Sequence, residues 1–171
     1  MTTATVTIRK WRESDSIAHL TDLLHRAYKP LADMGLHFVA THQNEKTTRY
    51  RIRYGCFVAQ IDGQFDGHIV GTIAYQPPGT NYGCIWYDRN DVGYFGQFAV
   101  EPELQRTGIG ARLIKHVEDF ARDNGACEIA FDTSEQATHL IDYYAKRGYR
   151  FVQHVRWDEV NYRSVVMSKR L

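Results

Sequence analysis

Apolar and polar residues follow one another in this chain with two periods, and the places where the period changes mark out its elements. Val6 and Ile8 alternate with Thr7 and Arg9, the period of a strand. Ile17, Leu20, Leu23, Leu24, Ala27 and Tyr28 then recur at helical spacing behind the capping run Glu13-Ser14-Asp15-Ser16, and Pro30 is expected to stop that helix. Residues 30–43 are apolar but irregular, and read as a cover over something. Residues 49–54 alternate like a strand yet follow Asn44-Glu45-Lys46-Thr47, a helix start, so they are read as helix. Two β-rich runs, 56–61 and 69–76, flank the turn-forming loop 62–67 and predict an antiparallel hairpin.

The second half is more regular. The apolar run 95–100 ends at Glu101-Pro102, as a strand would, because proline lacks an N–H and disfavours helix just before itself. Ile109, Leu113, Val117 and Phe120, with Ile114 and Ala121, form one face of a helix whose other face carries Arg112, Lys115, Glu118, Asp119 and Arg122; Asn124-Gly125 ends it. Residues 128–132 form a strand reached by a right-handed crossover, hence parallel to 95–100. A second amphipathic helix over 135–147 is closed by Gly148, and two strands, 149–157 and 162–169, finish the chain. The predicted order is β, α, α, β, β, β, α, β, α, β, β. No internal repeat or low-complexity segment interrupts it.

Composition narrows the chemistry. At 171 residues, the size prior is one domain over residues 1–171. Lys plus Arg number 21 against 20 Asp plus Glu, a net charge of +1, so nothing global draws the chain to nucleic acid or an anionic membrane, and no apolar run has the length of a span. The N-terminal stretch shows no basic region followed by an apolar core, so a cytoplasmic protein is expected. Cys56, Cys84 and Cys127 are unclustered and read as small buried hydrophobes, and the eight histidines include no i, i+4 pair, so no metal site is expected. Lys46, Arg49, Arg51 and Arg53 read as a solvated face in preference to phosphate contacts. The loop 79–91, with Tyr82, Trp86, Tyr87, Asp88 and Asp91, suits gripping a cationic or aromatic substrate as well as it suits an ordinary surface loop.

The stretch Gln105-Arg106-Thr107-Gly108-Ile109-Gly110 joins the run 95–100 to its helix, and its glycines let the backbone approach a ligand. The first N–H groups of a helix have no helical partners, so strand, turn and helix start form an anion cradle. A dinucleotide fingerprint is excluded because position 113 is Leu, and a P-loop because Gly110 precedes Ala111-Arg112. The spacing Gln-x-x-Gly-x-Gly, after Ala99-Val100-x-Pro102, resembles the acetyl-coenzyme A site of the GNAT superfamily of N-acetyltransferases, whose element order is also the one predicted. Tyr144-Ala-Lys-Arg-Gly-Tyr149 is similar to that family's Tyr-x-x-x-Gly-Phe signature.

The resemblance implies an α/β (α+β) GNAT fold, a mixed, mostly antiparallel sheet with a splayed parallel strand pair and flanking helices. It implies acetyl-CoA as acetyl donor, its pantetheine arm beside Phe98, Ala99 and Val100 and its pyrophosphate on Gln105, Arg106, Gly108, Gly110 and Ala111. It also implies a catalytic Tyr144 that protonates the departing thiolate, whereas Tyr143 reads as a core aromatic. Many members carry an Asn where this chain has Ala137, and some carry a Glu or His base at the position of Tyr94. The base is therefore left open: Tyr94 is a poor base unless its pKa is lowered, and Asp91, Asp132 and His37 are the other candidates. The implied activity is transfer to a primary amine of a small molecule or peptide, with homodimerisation open; the competing reading is a silent acyl-CoA sensor. Residues 30–43 and the aromatic loop suit a closed acceptor pocket better than the open groove that a protein substrate requires.

Overall fold

Burial of alternate apolar positions on both faces of one sheet organises the chain. The structure, a computed structural model, describes residues 5–62, 68–80 and 82–171; the tip of the predicted hairpin loop and the N-terminal residues 1–4 lie outside them. The elements are β1 (Val6–Lys10), α1 (Ile17–Asp33), α2 (Glu45–Ile52), β2 (Cys56–Ile61), β3 (His68–Gln76), β4 (Val92–Val100), α3 (Ile109–Asp123), β5 (Glu128–Ser134), α4 (Thr138–Ala145), β6 (Arg150–Arg156) and β7 (Arg163–Arg170). Short 3-10 turns lie at Val39–Thr41 and Pro102–Leu104. The sheet runs β1-β2-β3-β4-β5-β7-β6, and only β4 and β5 are parallel.

The strands sort their side chains by parity. Phe57, Ala59, Ile73, Tyr75 and Phe95 face α3 and bury Leu113, Val117 and Ala121. Cys56, Val58, Ile69, Ala74 and Ala99 face the other way, onto Leu20, Leu23 and Leu24 of α1 and Ile52 of α2. Side-chain caps fix the helix starts: Ser16 Oγ accepts from the His19 N–H, and Asn44 Oδ1 from the Thr47 N–H at 2.9 Å, which resolves residues 49–54 towards helix.

Several expectations need correction. Pro30 does not stop α1; the helix runs on to Asp33 and ends before Gly35, which sits at φ +80°. Proline removes one N–H from the ladder, but the extra turn buries Leu31 against Leu36, Ala137 and Tyr162, which offsets the loss. α4 starts three residues late, because the Ala137 and Gln136 N–H groups bond back to the carbonyl and hydroxyl of Ser134. β4 begins at Val92, before the run that marked it in the sequence. Cys56 and Cys84 are buried, whereas Cys127 is exposed. No helix among the described residues is long and apolar enough to cross a membrane.

Candidate active site

The parallel pair sets the site. β4 and β5 are in register only at Val92↔Glu128, Gly93↔Ile129 and Tyr94↔Ala130, although the strands continue to Val100 and Ser134. A bulge on the β3 side turns β4 away: Ala74 faces Gly96 and Thr72 faces Ala99, so Gln97 and Phe98 together oppose Ile73, and Gln97 takes φ +49°. A non-glycine residue holds such a φ only when its surroundings fix it. Here Gln43 Nε2 donates to Gln97 Oε1 at 2.7 Å and to Thr48 Oγ1 of α2 at 2.7 Å, all three residues being buried. No sequence signal marked the bulge, since Gln97 reads as one polar residue in an apolar strand.

Between the diverging strands lies a cavity of about 630 Å³. Phe98, Ala99, Val100, Gln105, Arg106, Gly108, Gly110, Ala111 and Tyr144 all line it, so the residues that the resemblance assigned to the donor and to thiolate protonation are gathered there. The cradle is built by backbone conformation. Arg106 and Gly108 both have positive φ, 64° and 90°, and Gly108 caps α3 without a side-chain bond, which leaves the first N–H groups of α3 facing outward. Gly110 is glycine for space: a Cβ there would stand 3.2 Å from Phe98 Cζ. Gln105 Nε2 donates to the Val100 carbonyl at 3.3 Å and ties the turn to its strand.

Tyr144 is buried, with its ring 3.9 Å from that of Phe131 and edge-on to Tyr143. Its hydroxyl bonds to no described residue, whereas the Tyr149 hydroxyl donates to Glu118 Oε1 at 2.9 Å. Burial raises the Tyr144 pKa well above the ordinary phenol value, helped by Tyr28 and Tyr143 and opposed by Arg147, so the hydroxyl keeps its proton.

Of the four residues left open as base, only Asp132 reaches the cavity. It stands on β5 beyond the last residue paired with β4, and its carboxylate accepts from the Tyr87 hydroxyl at 2.8 Å and from Trp157 Nε1 at 2.9 Å. Burial raises its pKa, while these two bonds and the Arg51 charge pull it back. Tyr94 lies outside the cavity lining, and burial drives its pKa up, so it stays a neutral phenol and a poor base. Asp91 pairs with Arg89 at the start of β4, and His37 is exposed and lies outside the cavity lining. The aromatic loop is packed and does not stand open to grip a ligand: Tyr87 is fully buried, stacked at 4.4 Å on Tyr94, and supports Asp132 from behind. An aspartate closing the apolar run 128–132 was the one sequence trace of this arrangement. Leu31 and Phe38, from the irregular segment, line the cavity beside Tyr28. Ala137, which caps α4, is fully buried against Leu31, Leu36 and Tyr162 and does not line the cavity.

Residues 17–149 match the model of the Acetyltransferase (GNAT) family. The chain belongs to this family. It is a GNAT acetyltransferase, an acyltransferase of a family that uses acetyl-CoA as donor. Over 139 residues, 76% of each chain, it is 30% identical to S-(2-succino)cysteine N-acetyltransferase from Bacillus subtilis (strain 168). A crystal structure from Pyrococcus horikoshii OT3 shares the fold at a TM-score of 0.70 and 23% identity, covering 98% of this chain and 99% of the other. A GNAT family acetyltransferase from Elizabethkingia anophelis with acetyl-CoA bound shares it at 0.65 and 16% identity, covering 97% and 98%. The seven-stranded sheet of this acetyltransferase, with its one parallel pair, is the GNAT fold.

Proposed function

We propose that this acetyltransferase moves an acetyl group from acetyl-CoA directly to a primary amine of a small molecule. One observation carries the reading: the glycine cradle, the unpaired stretch of β4, the free Tyr144 hydroxyl and the Asp132 carboxylate all open into a single cavity. The cavity fits the donor. The N–H groups from Gln105 to Ala111, with Arg106, suit a pyrophosphate, and β4 beyond Tyr94 presents backbone groups that suit the amides of a pantetheine arm. The donor, when bound, supplies an acyl carbon activated as a thioester.

The chain supplies proton handling and charge. An amine with a pKa near ~10 is mostly protonated at neutral pH, so a base must take its proton before or during attack. Two cavity-lining side chains can accept it, Asp132 and His139, and we assign the role to Asp132, which stands on β5 where the two parallel strands diverge. The amine nitrogen bonds to the acyl carbon, backbone N–H groups of β4 steady the developing oxyanion, and the C–S bond breaks as the intermediate collapses. Tyr144 then gives its proton to the thiolate: its hydroxyl is protonated and bonds to no described residue, although the raised pKa makes it a weaker acid than an ordinary phenol. Leu31 and Phe38 at the cavity support a small acceptor over a protein chain, as does the Bacillus relative, which is named for acetylating a cysteine derivative.

The test is release of free CoA thiol from acetyl-CoA across a panel of amino acids, polyamines, aminoglycosides and peptides. Amine-dependent release with an N-acetylated small product supports the reading. Release with peptides alone would move the acceptor to protein substrates, and no release above hydrolysis despite tight CoA binding would replace transfer with sensing.

A further inference from the structure

Among the described arginines, four are half-buried: Arg9, Arg51, Arg89 and Arg147. Three are engaged: Arg9 pairs with Asp15, Arg89 with Asp91, and Arg147 lies over the Tyr143 ring and donates to the Tyr143 carbonyl. The Arg51 guanidinium has no ion pair and no hydrogen bond to any described residue. A partly sheltered cation without a protein partner keeps only part of its hydration and leaves its N–H fork available to an anionic ligand.

Its position says which ligand. Thr48, one helical turn before Arg51 on α2, touches the network that fixes the β4 bulge through Gln43. The Arg51 carbonyl accepts from Gln76 Nε2, and Gln76 is paired with Tyr94, the last residue before β4 leaves β5. The Arg51 backbone therefore stands beside the point where β4 parts from β5, next to the cavity lining but not part of it, whereas the proposed pyrophosphate cradle follows Val100, six residues and roughly 20 Å along the strand. Its positive charge is felt by Asp132, Tyr28, Tyr94 and Tyr162, which come from four separate parts of the chain and of which Asp132 and Tyr28 line the cavity. An anion held there belongs to the acceptor, not to the donor phosphates.

We infer that the acceptor is an amine that also carries a carboxylate, an amino-acid type of molecule, with Arg51 binding the carboxylate while Asp132 faces the amino group. This rests on the transfer reading above and names its substrate class. A guanidinium matches a carboxylate with two parallel N–H bonds, a geometry that an ester or amide cannot use as well.

The experiment compares S-carboxymethylcysteine and aspartate with their methyl esters, in the wild type, Arg51→Ala and Arg51→Lys, with acetyl-CoA saturating. The ratio of kcat/KM for acid over ester is expected to fall by about tenfold to a hundredfold in Arg51→Ala, with the loss mainly in KM and partial recovery in Arg51→Lys. A ratio unchanged by Arg51→Ala would overturn the inference while leaving acetyl transfer intact. If no amine is acetylated, the transfer reading fails separately, and calorimetry with S-carboxymethylcysteine on the CoA-bound protein still decides: binding weakened in Arg51→Ala supports the carboxylate site, and equal or absent binding to wild type overturns it.

Discussion

Single side chains in the cleft are distinguished by what they are not bonded to. The Tyr144 hydroxyl is unengaged and held protonated, so Tyr144→Phe should lower kcat by about 10²-fold or more with little change in CoA affinity. Stopped-flow release of thiol checks this, and wild-type turnover would remove the residue from the mechanism. Asp132 carries the opposite charge logic. Its raised pKa means that the carboxylate is lost, as pH falls, at a higher pH than an ordinary aspartate would show. The kcat/KM profile should therefore decline on the acid side through that raised value and level off above it. In Asp132→Asn the acid limb should vanish and the plateau drop by about 10²-fold to 10⁴-fold, as a pH-rate series would reveal. Gly110 marks the donor side. Gly110→Asp places a carboxylate and a Cβ where Phe98 already stands 3.2 Å away, and should weaken CoA binding at least about tenfold by calorimetry.

Elements position these residues, and one small irregularity matters more than any helix. The β4 bulge directs the strand away from β5, and the buried Gln43 amide holds it through Gln97. Gln43→Ala should cost about 1–3 kcal/mol in urea unfolding, because the Gln97 and Thr48 oxygens lose their donor, and should also raise KM for acetyl-CoA. A stable variant with unchanged KM would make the bulge independent of this network. The bulge was illegible in the sequence for a physical reason: one extra residue in a strand leaves no change in period large enough to read, and its cause lies at Gln43, 54 residues away. The continuation of α1 past Pro30 was hidden likewise, since the burial that sustains it comes from Leu36, Ala137 and Tyr162. Local signals, by contrast, were read correctly. The Asn44 cap chose helix over strand for α2, and the Gln105–Gly110 spacing located the turn whose residues line the cavity.

At the scale of the molecule, the order of strands and helices was legible because periodicity and turns are local, and the right-handed crossover forced β4 and β5 to be parallel. The turn proposed to hold the donor was legible as a cavity-lining turn, because it is made of backbone and glycine within one stretch of chain. The residues proposed to serve the acceptor were not, because Asp132, Tyr87, Trp157, Tyr28 and Arg51 come from distant segments and are brought near one another only by the fold. Reading Arg51 as part of a solvated face missed its shelter for that reason. The most direct measurement is a crystal structure of this acetyltransferase with CoA. The account predicts the pantetheine arm between β4 and β5, the pyrophosphate on the N–H groups of residues 105–111 and the sulfur within hydrogen-bond reach of the Tyr144 hydroxyl. CoA seated elsewhere on the protein, or a sulfur remote from Tyr144, would contradict it.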